Sequence, residues 1–504
     1  MKHPNRPTSL LNSTLKVILN MNSLLTRIPN KYWAYLALCL WGALCFLILN
    51  KTYYGMDEGA AHALLLVWSV SDNVVSPIVT LGFPDFRTIF FVPVGILWTG
   101  SVVAAKIMTM VVMAIAAWSI HTWRSRSGES EGALIGSGLL LISPLAVSQI
   151  DGITVSAYLL FSFGLGAWSD HIYRESRRAF GGMYFAQIFL CLVSVSLHPI
   201  GLAYPLALIW GWYKNPVDRA HRNYILIGIS SATLVAFALT SGWNNIDWLG
   251  NPIRSLSSLV LGPAGGDAFG TFHWVCGVGM LFALLWVVWK QAHTLWVDFL
   301  GRTLLIALII GALTADDIFG MLALVVCLYW GFPILLRKPT SSQGNFWGQR
   351  GVVLFLSILI STSFMMIDKA TYQSLSMTTL SPRDSIIKAL AEDSGLFSSD
   401  EVEQIVSAKK KILVRSQWPS LTMLACRCDA LALPPNAENS DALLAMLKGT
   451  DYLIFDPRDP TNSSLSHNLA AMDAGKVETI ALQIRGVIIQ VKNAPLASAP
   501  GKKP

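Results

Sequence analysis

The chain has 504 residues, of which 53% are hydrophobic and only 13% charged, and its mean hydropathy is +0.51. Soluble domains run near a quarter charged, so this composition excludes an ordinary soluble globular protein. The formal net charge of +7 belongs wholly to residues 1–367, because residues 368–504 hold 15 basic and 15 acidic side chains. The basic excess therefore reflects membrane topology, and no basic, aromatic-interleaved patch points to nucleic acid.

A bilayer core of about 30 Å needs about 20 apolar residues in a helix, and only helices or closed barrels satisfy the backbone there. The apolar runs here are continuous and lack two-residue alternation, which selects helices. Eleven spans are expected, near 32–50, 100–122, 132–149, 153–170, 182–197, 199–213, 223–242, 272–289, 303–315, 318–336 and 351–367. The expected architecture is a polytopic α-helical membrane protein with a small C-terminal extracytoplasmic α/β domain. Its parts are an N-terminal cytoplasmic segment (1–31), a membrane domain (32–367) with an external loop (51–99), an external domain (368–496) and a disordered end (497–504).

Basic residues set the orientation. Of the 22 Lys and Arg before residue 368, 18 fall on one side in an alternating assignment, and Lys51, Arg87 and Arg254 on the other. This places the N-terminus inside and residues 368–504 outside. The first apolar run follows about thirty residues and lacks a small-residue cleavage site, so it reads as an uncleaved anchor. Five of the seven cysteines lie in or beside spans, where Cys behaves as a small hydrophobe. Cys426 and Cys428 share the tail, and with one residue between them a mutual bridge would be strained.

In the tail, strands are expected at 411–415, 430–433, 451–456, 477–482 and 486–492. Helices are expected at 383–395, 399–410, 419–427, 441–448 and 463–474. This alternation indicates an α/β layer, and no Gly-rich phosphate loop follows any strand.

Polar residues against the membrane direct the search for chemistry to the first external loop. Asp57 and Glu58 follow the first span and head an apolar helix in which Ala61, Leu64, Leu65, Trp68 and Val75 form a membrane-facing side. Pro77, the run Gly82-Phe83-Pro84-Asp85 and a segment at 88–98 containing Pro93 and Gly95 lead to the second span. Carboxylates also favour helix N-termini as ordinary caps, so the acidic pair has a structural reading as well.

This ordering resembles the first external loop of the GT-C class of membrane glycosyltransferases, most closely the protein O-mannosyltransferase and aminoarabinose-transferase superfamily. His62 stands where relatives often carry an aromatic residue, and Asp85-Phe86-Arg87 where some carry Lys-Pro-Pro. The resemblance implies a GT-C-like fold and transfer of a hexosyl or pentosyl group from a polyprenyl-phosphate donor. The acceptor, a lipid, glycan or protein, would be extracytoplasmic, and the setting a bacterial plasma membrane.

Such a transfer needs a base for the acceptor hydroxyl and cations for the departing phosphate. Asp57 is the candidate base, and Glu58 and Asp151 are further catalytic candidates. Asp151 lies in the sequence SQIDGIT, which also reads as a turn. Lys106, one to two turns inside the second span, is the leading phosphate ligand. A lysine near a span end also snorkels to the interface. Arg87 and Arg254 are the other candidate phosphate ligands. A divalent metal ion is a candidate cofactor, with Glu58, His62, Asp316 and Asp317 as its weaker candidate ligands. Asp316 and Asp317 equally suit a helix cap, and no zinc-type spacing is present. Two other classes compete: a transporter or flippase, for which matched halves are missing, and a non-catalytic scaffold on the same fold.

Overall fold

The computed structural model describes residues 56–72, 87–97, 102–127, 130–175, 180–214, 219–239, 252–261, 271–314, 317–331 and 333. It also describes 383, 385–387, 390, 413–426, 428–434, 437–472, 477–480 and 487–491. The spans expected at 32–50 and 351–367, the helix at 399–410 and the end at 497–504 lie outside these residues.

Helices α1 (Glu58–Asp72) and α2 (Arg87–Leu97) precede the long α3 (Val102–Ser125). Then come α4 (Ser130–Ile142), α5 (Pro144–Asp151), α6 (Val155–Glu175) and α7 (Phe180–Leu197). They are followed by α8 (Ala203–Lys214), α9 (Arg219–Leu239), α10 (Pro252–Leu261), α11 (Thr271–Val297), α12 (Phe299–Thr314) and α13 (Asp317–Val326). Among the described residues, two helices are long and apolar enough to cross a membrane alone, Val102–Arg126 and Trp274–Val297. The remaining apolar helices are shorter, so among the described residues apolar runs and single long helices do not coincide one for one.

The run at 132–149 illustrates why. It is two helices bent by 50°. Ser143 caps α5 by accepting from the Ala146 amide, and Pro144 takes the first helical position, where its missing N–H costs nothing. Hydropathy sees one apolar stretch, but the Ser-Pro step breaks it. Likewise the span expected at 199–213 opens as a 3-10 turn, Pro199–Leu202, before α8.

Small residues let α3 and α6 pack closely, as helices in lipid require. A Cβ at Gly164 would collide with the Ser119 hydroxyl. At the opposite end of these helices from Asp57, indole and guanidinium groups stitch neighbours together. Asp298 accepts from Trp123 at 2.8 Å, and Asp170 accepts from Arg174 at 2.7 Å and Trp212 at 3.1 Å.

Residues 413–491 contribute five strands: β1 (Leu413–Ser416), β2 (Asp429–Ala432), β3 (Tyr452–Phe455), β4 (Val477–Ile480) and β5 (Val487–Val491). Their order is β2-β1-β3-β5-β4. β1 pairs in parallel with both β2 and β3, and β5 runs antiparallel to β3 and β4. Helices α14 (Pro419–Cys426) and α15 (Ser440–Met446) make the two parallel crossovers, and α16 (Ser463–Ala470) follows β3. Cys428 is disulfide-bonded.

Side chains alternate across a strand, and the sheet uses both faces. Leu453, Phe455, Ile489 and Val491 pack with Leu443, Leu465 and Leu469. Val414, Ala430, Tyr452, Ile454 and Ile488 pack with Leu421 and Leu424 of α14, in a core continuous with the helical bundle. That continuity runs through α1. Ala61, Leu64 and Leu65, expected to face the membrane, are 0%, 0% and 4% exposed and form part of this protein core. An apolar face answers a protein neighbour as well as it answers lipid. The sheet therefore sits at the same end of the bundle as the first loop.

Candidate active site

Asp57 precedes α1 and caps it, its Oδ1 accepting from the Ala60 amide at 2.6 Å. Its other oxygen, Oδ2, accepts from Arg87 Nη1 at 2.6 Å. The cap and the candidate functional role thus coexist on one side chain, because each uses a different oxygen. Arg87, at the start of α2, is only 2% exposed rather than solvated. The same Nη1 donates to the Ile153 carbonyl at 2.9 Å.

Lys106 lies one turn into α3, fully buried rather than snorkelling, and its Nζ is 2.6 Å from Asp151 Oδ1. Asp151 ends α5. The turn beyond it holds Ile153 at φ 52°, a left-handed conformation that β-branched residues rarely adopt. Gln149 secures this turn, its Oε1 accepting from the hydroxyls of Thr154 and, at 2.7 Å, of Ser156. One short turn therefore serves both cations: Asp151 holds Lys106, and the Ile153 carbonyl holds Arg87.

Exposure is arranged in order. The side chains of Arg87 and Lys106 are 3% and 0% exposed, whereas those of Asp57 and Asp151 are 33% and 28% exposed. Carboxylates stand at the opening and cations behind them. Buried charges persist only when paired and hydrogen-bonded, and each cation here has its carboxylate. One turn beyond Arg87, Phe90 and Phe91 pack on Tyr158, whose hydroxyl lies 2.8 Å from that of Thr109.

Glu58 points elsewhere. Its carboxylate accepts from the Ser420 amide at 2.5 Å and the Leu421 amide at 3.1 Å, in the first turn of α14. Burial pushes its carboxyl up to about 7, while the hydrogen bonds from Ser420 and Leu421 act against that rise and neighbouring Asp57 adds to it. His62 follows one turn later, partly buried. Arg254 lies in α10 and Asp317 at the start of α13, and neither side chain is among those described. Asp316 lies outside the described residues.

Among the described residues, the candidate metal donors are already engaged by protein groups. Both oxygens of Asp57 and both of Glu58 already accept hydrogen bonds from protein groups, and Asp151 is matched by Lys106. Among the described residues, no group of three or more His, Cys, Asp or Glu could hold a metal ion.

Sequence reasoning missed three things here. The left-handed Ile153 has no local signal, since Ile is among the last residues expected there. Arg87 burial is invisible without its partners. The Glu58 contact had one faint sign: α14 starts Trp418-Pro419, with no side-chain oxygen at the capping position.

The fold is similar to those of solved GT-C glycosyltransferases, ArnT and AglB. No family model and no curated protein matches the sequence. Solved structures do. ArnT from Cupriavidus metallidurans in the apo state is 11% identical, with a TM-score of 0.53 over 91% of this chain and 98% of that one. The archaeal oligosaccharyltransferase AglB from Archaeoglobus fulgidus, in complex with an inhibitory peptide and a dolichol-phosphate, is also 11% identical. It gives a TM-score of 0.50 over 84% of this chain and 69% of that one. Its apo form gives 0.50 at 10% identity.

Proposed function

We propose that the chain is a glycosyltransferase that moves a hexosyl or pentosyl group from a polyprenyl-phosphate donor to a lipid, glycan or protein acceptor. The reaction would take place on the extracytoplasmic side of a bacterial plasma membrane, with the N-terminus cytoplasmic. The observation that carries this reading is the pair of half-open carboxylates, Asp57 and Asp151, each backed by a buried cation. The shared fold supports it, as does the dolichol-phosphate bound to AglB.

In this reading Asp57 accepts the proton of the acceptor hydroxyl as its oxygen attacks the anomeric carbon. The bond from that carbon to the donor phosphate breaks, and its electron pair leaves on the phosphate. A single displacement inverts the centre. The phosphate needs no acid, only positive charge. Arg87 and Lys106 supply it, exchanging their carboxylate partners for phosphate oxygens as the donor enters. Arg254 is a further phosphate ligand in this scheme. Asp151 holds Lys106 in place until that exchange.

The test is a membrane preparation supplied with a panel of polyprenyl-phosphate sugars. Transfer by the wild type and its loss in a stably inserted Asp57→Asn variant are expected. Full transfer by that variant removes Asp57 from the mechanism. No transfer by the wild type with any donor favours a transporter or scaffold.

A further inference from the structure

We infer that Glu58 is a positioning residue that makes the C-terminal sheet part of the apparatus placing the candidate base. The inference rests on the transferase reading above and assigns a role to a part of the chain that reading leaves idle.

Adjacent carboxylates do different work here. A helix exposes four backbone amides at its start, and a capping side chain satisfies them. Helix α14 has Trp418 before Pro419 and so lacks a capping oxygen of its own. Glu58 supplies it from 362 positions away, one oxygen on the Ser420 amide and the other on the Leu421 amide. A carboxylate there also meets the positive end of the helix dipole. The contact is thus a cap made in trans.

Its mechanical consequence follows from what each partner is fixed to. Leu421 and Leu424 are 1% exposed and seat α14 in the core beneath β1 and β2. Glu58 is the first residue of α1, and Asp57 caps that same turn through the Ala60 amide. The turn bearing Asp57 is therefore held from two sides, by Arg87 and by α14. Freeing Glu58 leaves Asp57 held by Arg87 and by a turn that has lost its other anchor. Displacements of about 1 Å at a reacting group cost about 10²-fold in rate.

The test uses the full chain in detergent or lipid discs, with hydrogen exchange and transfer kinetics on Glu58→Ala, Glu58→Gln and Asp57→Asn. Glu58→Ala is expected to speed exchange both at 419–426 and at 57–62. Its kcat should fall about tenfold or more, with the donor KM within about twofold. Glu58→Gln keeps one good acceptor and should be intermediate on both readouts. The pH–rate profile is the readout that a merely structural role would not move. The wild type should carry an ionisation near 7 that Glu58→Gln lacks. Asp57 is the titratable neighbour, and Arg87 is its partner, while Ser420 and Leu421 present only a hydroxyl and amides. Unchanged exchange at 57–62 in Glu58→Ala, or an unchanged profile in Glu58→Gln, overturns the inference. Asp57→Asn separates the two claims. If it transfers normally, the base assignment falls, while the exchange data still decide the coupling.

Discussion

Arg87 donates to Asp57 at 2.6 Å and, from the same nitrogen, to the backbone carbonyl of Ile153 at 2.9 Å. A single buried guanidinium thus ties the acidic loop to the turn that follows Asp151. The Asp57 side is one-third open, so the pair is neither a surface ion pair nor a sealed one. Breaking a sealed pair costs about 3–5 kcal/mol and a surface one under about 1 kcal/mol. Arg87→Ala should therefore lower stability by about 1–3 kcal/mol, read as a drop in Tm of the detergent-solubilised chain. Arg87→Lys should recover part of that loss, because the ammonium keeps the charge but not the planar guanidinium geometry that aims both bonds from Nη1.

Lys106 and Asp151 allow a cleaner test. Lys106 is fully buried, so Asp151→Asn removes the carboxylate that faces its charge, and Lys106→Met removes the cation that faces Asp151. The double variant Lys106→Met with Asp151→Asn should be less damaged than the sum of the two singles, with a coupling of about 0.5–3 kcal/mol. Additive losses would mean that the two side chains are not paired in the membrane.

Asp57→Asn should reduce transfer about 10²–10⁴-fold, the usual contribution of a positioned base. The cap on α1 should largely survive, since Asn caps as well as Asp. Circular dichroism should stay near wild type and Tm should fall no further than in Arg87→Ala, which breaks the same pair, while turnover collapses. A larger fall in Tm, in parallel with turnover, would instead identify Asp57 as a structural residue.

The docking of α14 on Glu58 should depend on pH, and its sign follows from the raised carboxyl. Burial on docking raises the affinity of Glu58 for a proton from the ordinary 4.5 to about 7, against the opposing pull of the Ser420 and Leu421 hydrogen bonds. The docked state thus binds more protons than the undocked state between those values, and docking weakens as pH rises through that window. Exchange at 419–426, corrected for intrinsic rates, should be slowest near pH 4.5 and faster above 7. Glu58→Gln should flatten the dependence.

Chelation offers a further check. The described carboxylates are already matched by amides, Arg87 and Lys106. Removal of divalent cations with EDTA should change transfer by less than about twofold. A complete loss restored by one metal would mean that a cation displaces Arg87 or Lys106 during the reaction.

The sequence carried the fold where a local pattern reports a local structure. The strand expected at 451–456 occupies Tyr452–Phe455, and the helix expected at 419–427 occupies Pro419–Cys426. The span expected at 100–122 is found in Val102–Ser125. A short apolar run between two aspartates, a proline at the first helical position and a long apolar run are all written in adjacent residues. The failures have a common cause: the deciding partner lay far along the chain. Ala61 and Leu64 are apolar whether they meet lipid or protein, and only the arrival of α14 decides which. Arg87 reads as a surface cation until the turn from residue 153 is placed beside it. The candidate residues were legible as chemical types, but their division of labour was not. Nothing in the order Asp57-Glu58 says that one faces the opening and the other faces Ser420.

The 362-residue reach between Glu58 and Ser420 has a bearing on biosynthesis. A ribosome must add most of the chain after the acidic loop has been delivered before that loop can adopt its final contacts. Truncated or stalled products would carry the loop without its anchor. A chain ended before residue 420 would keep the partners of the Asp57–Arg87 and Lys106–Asp151 pairs but lack the Glu58 anchor.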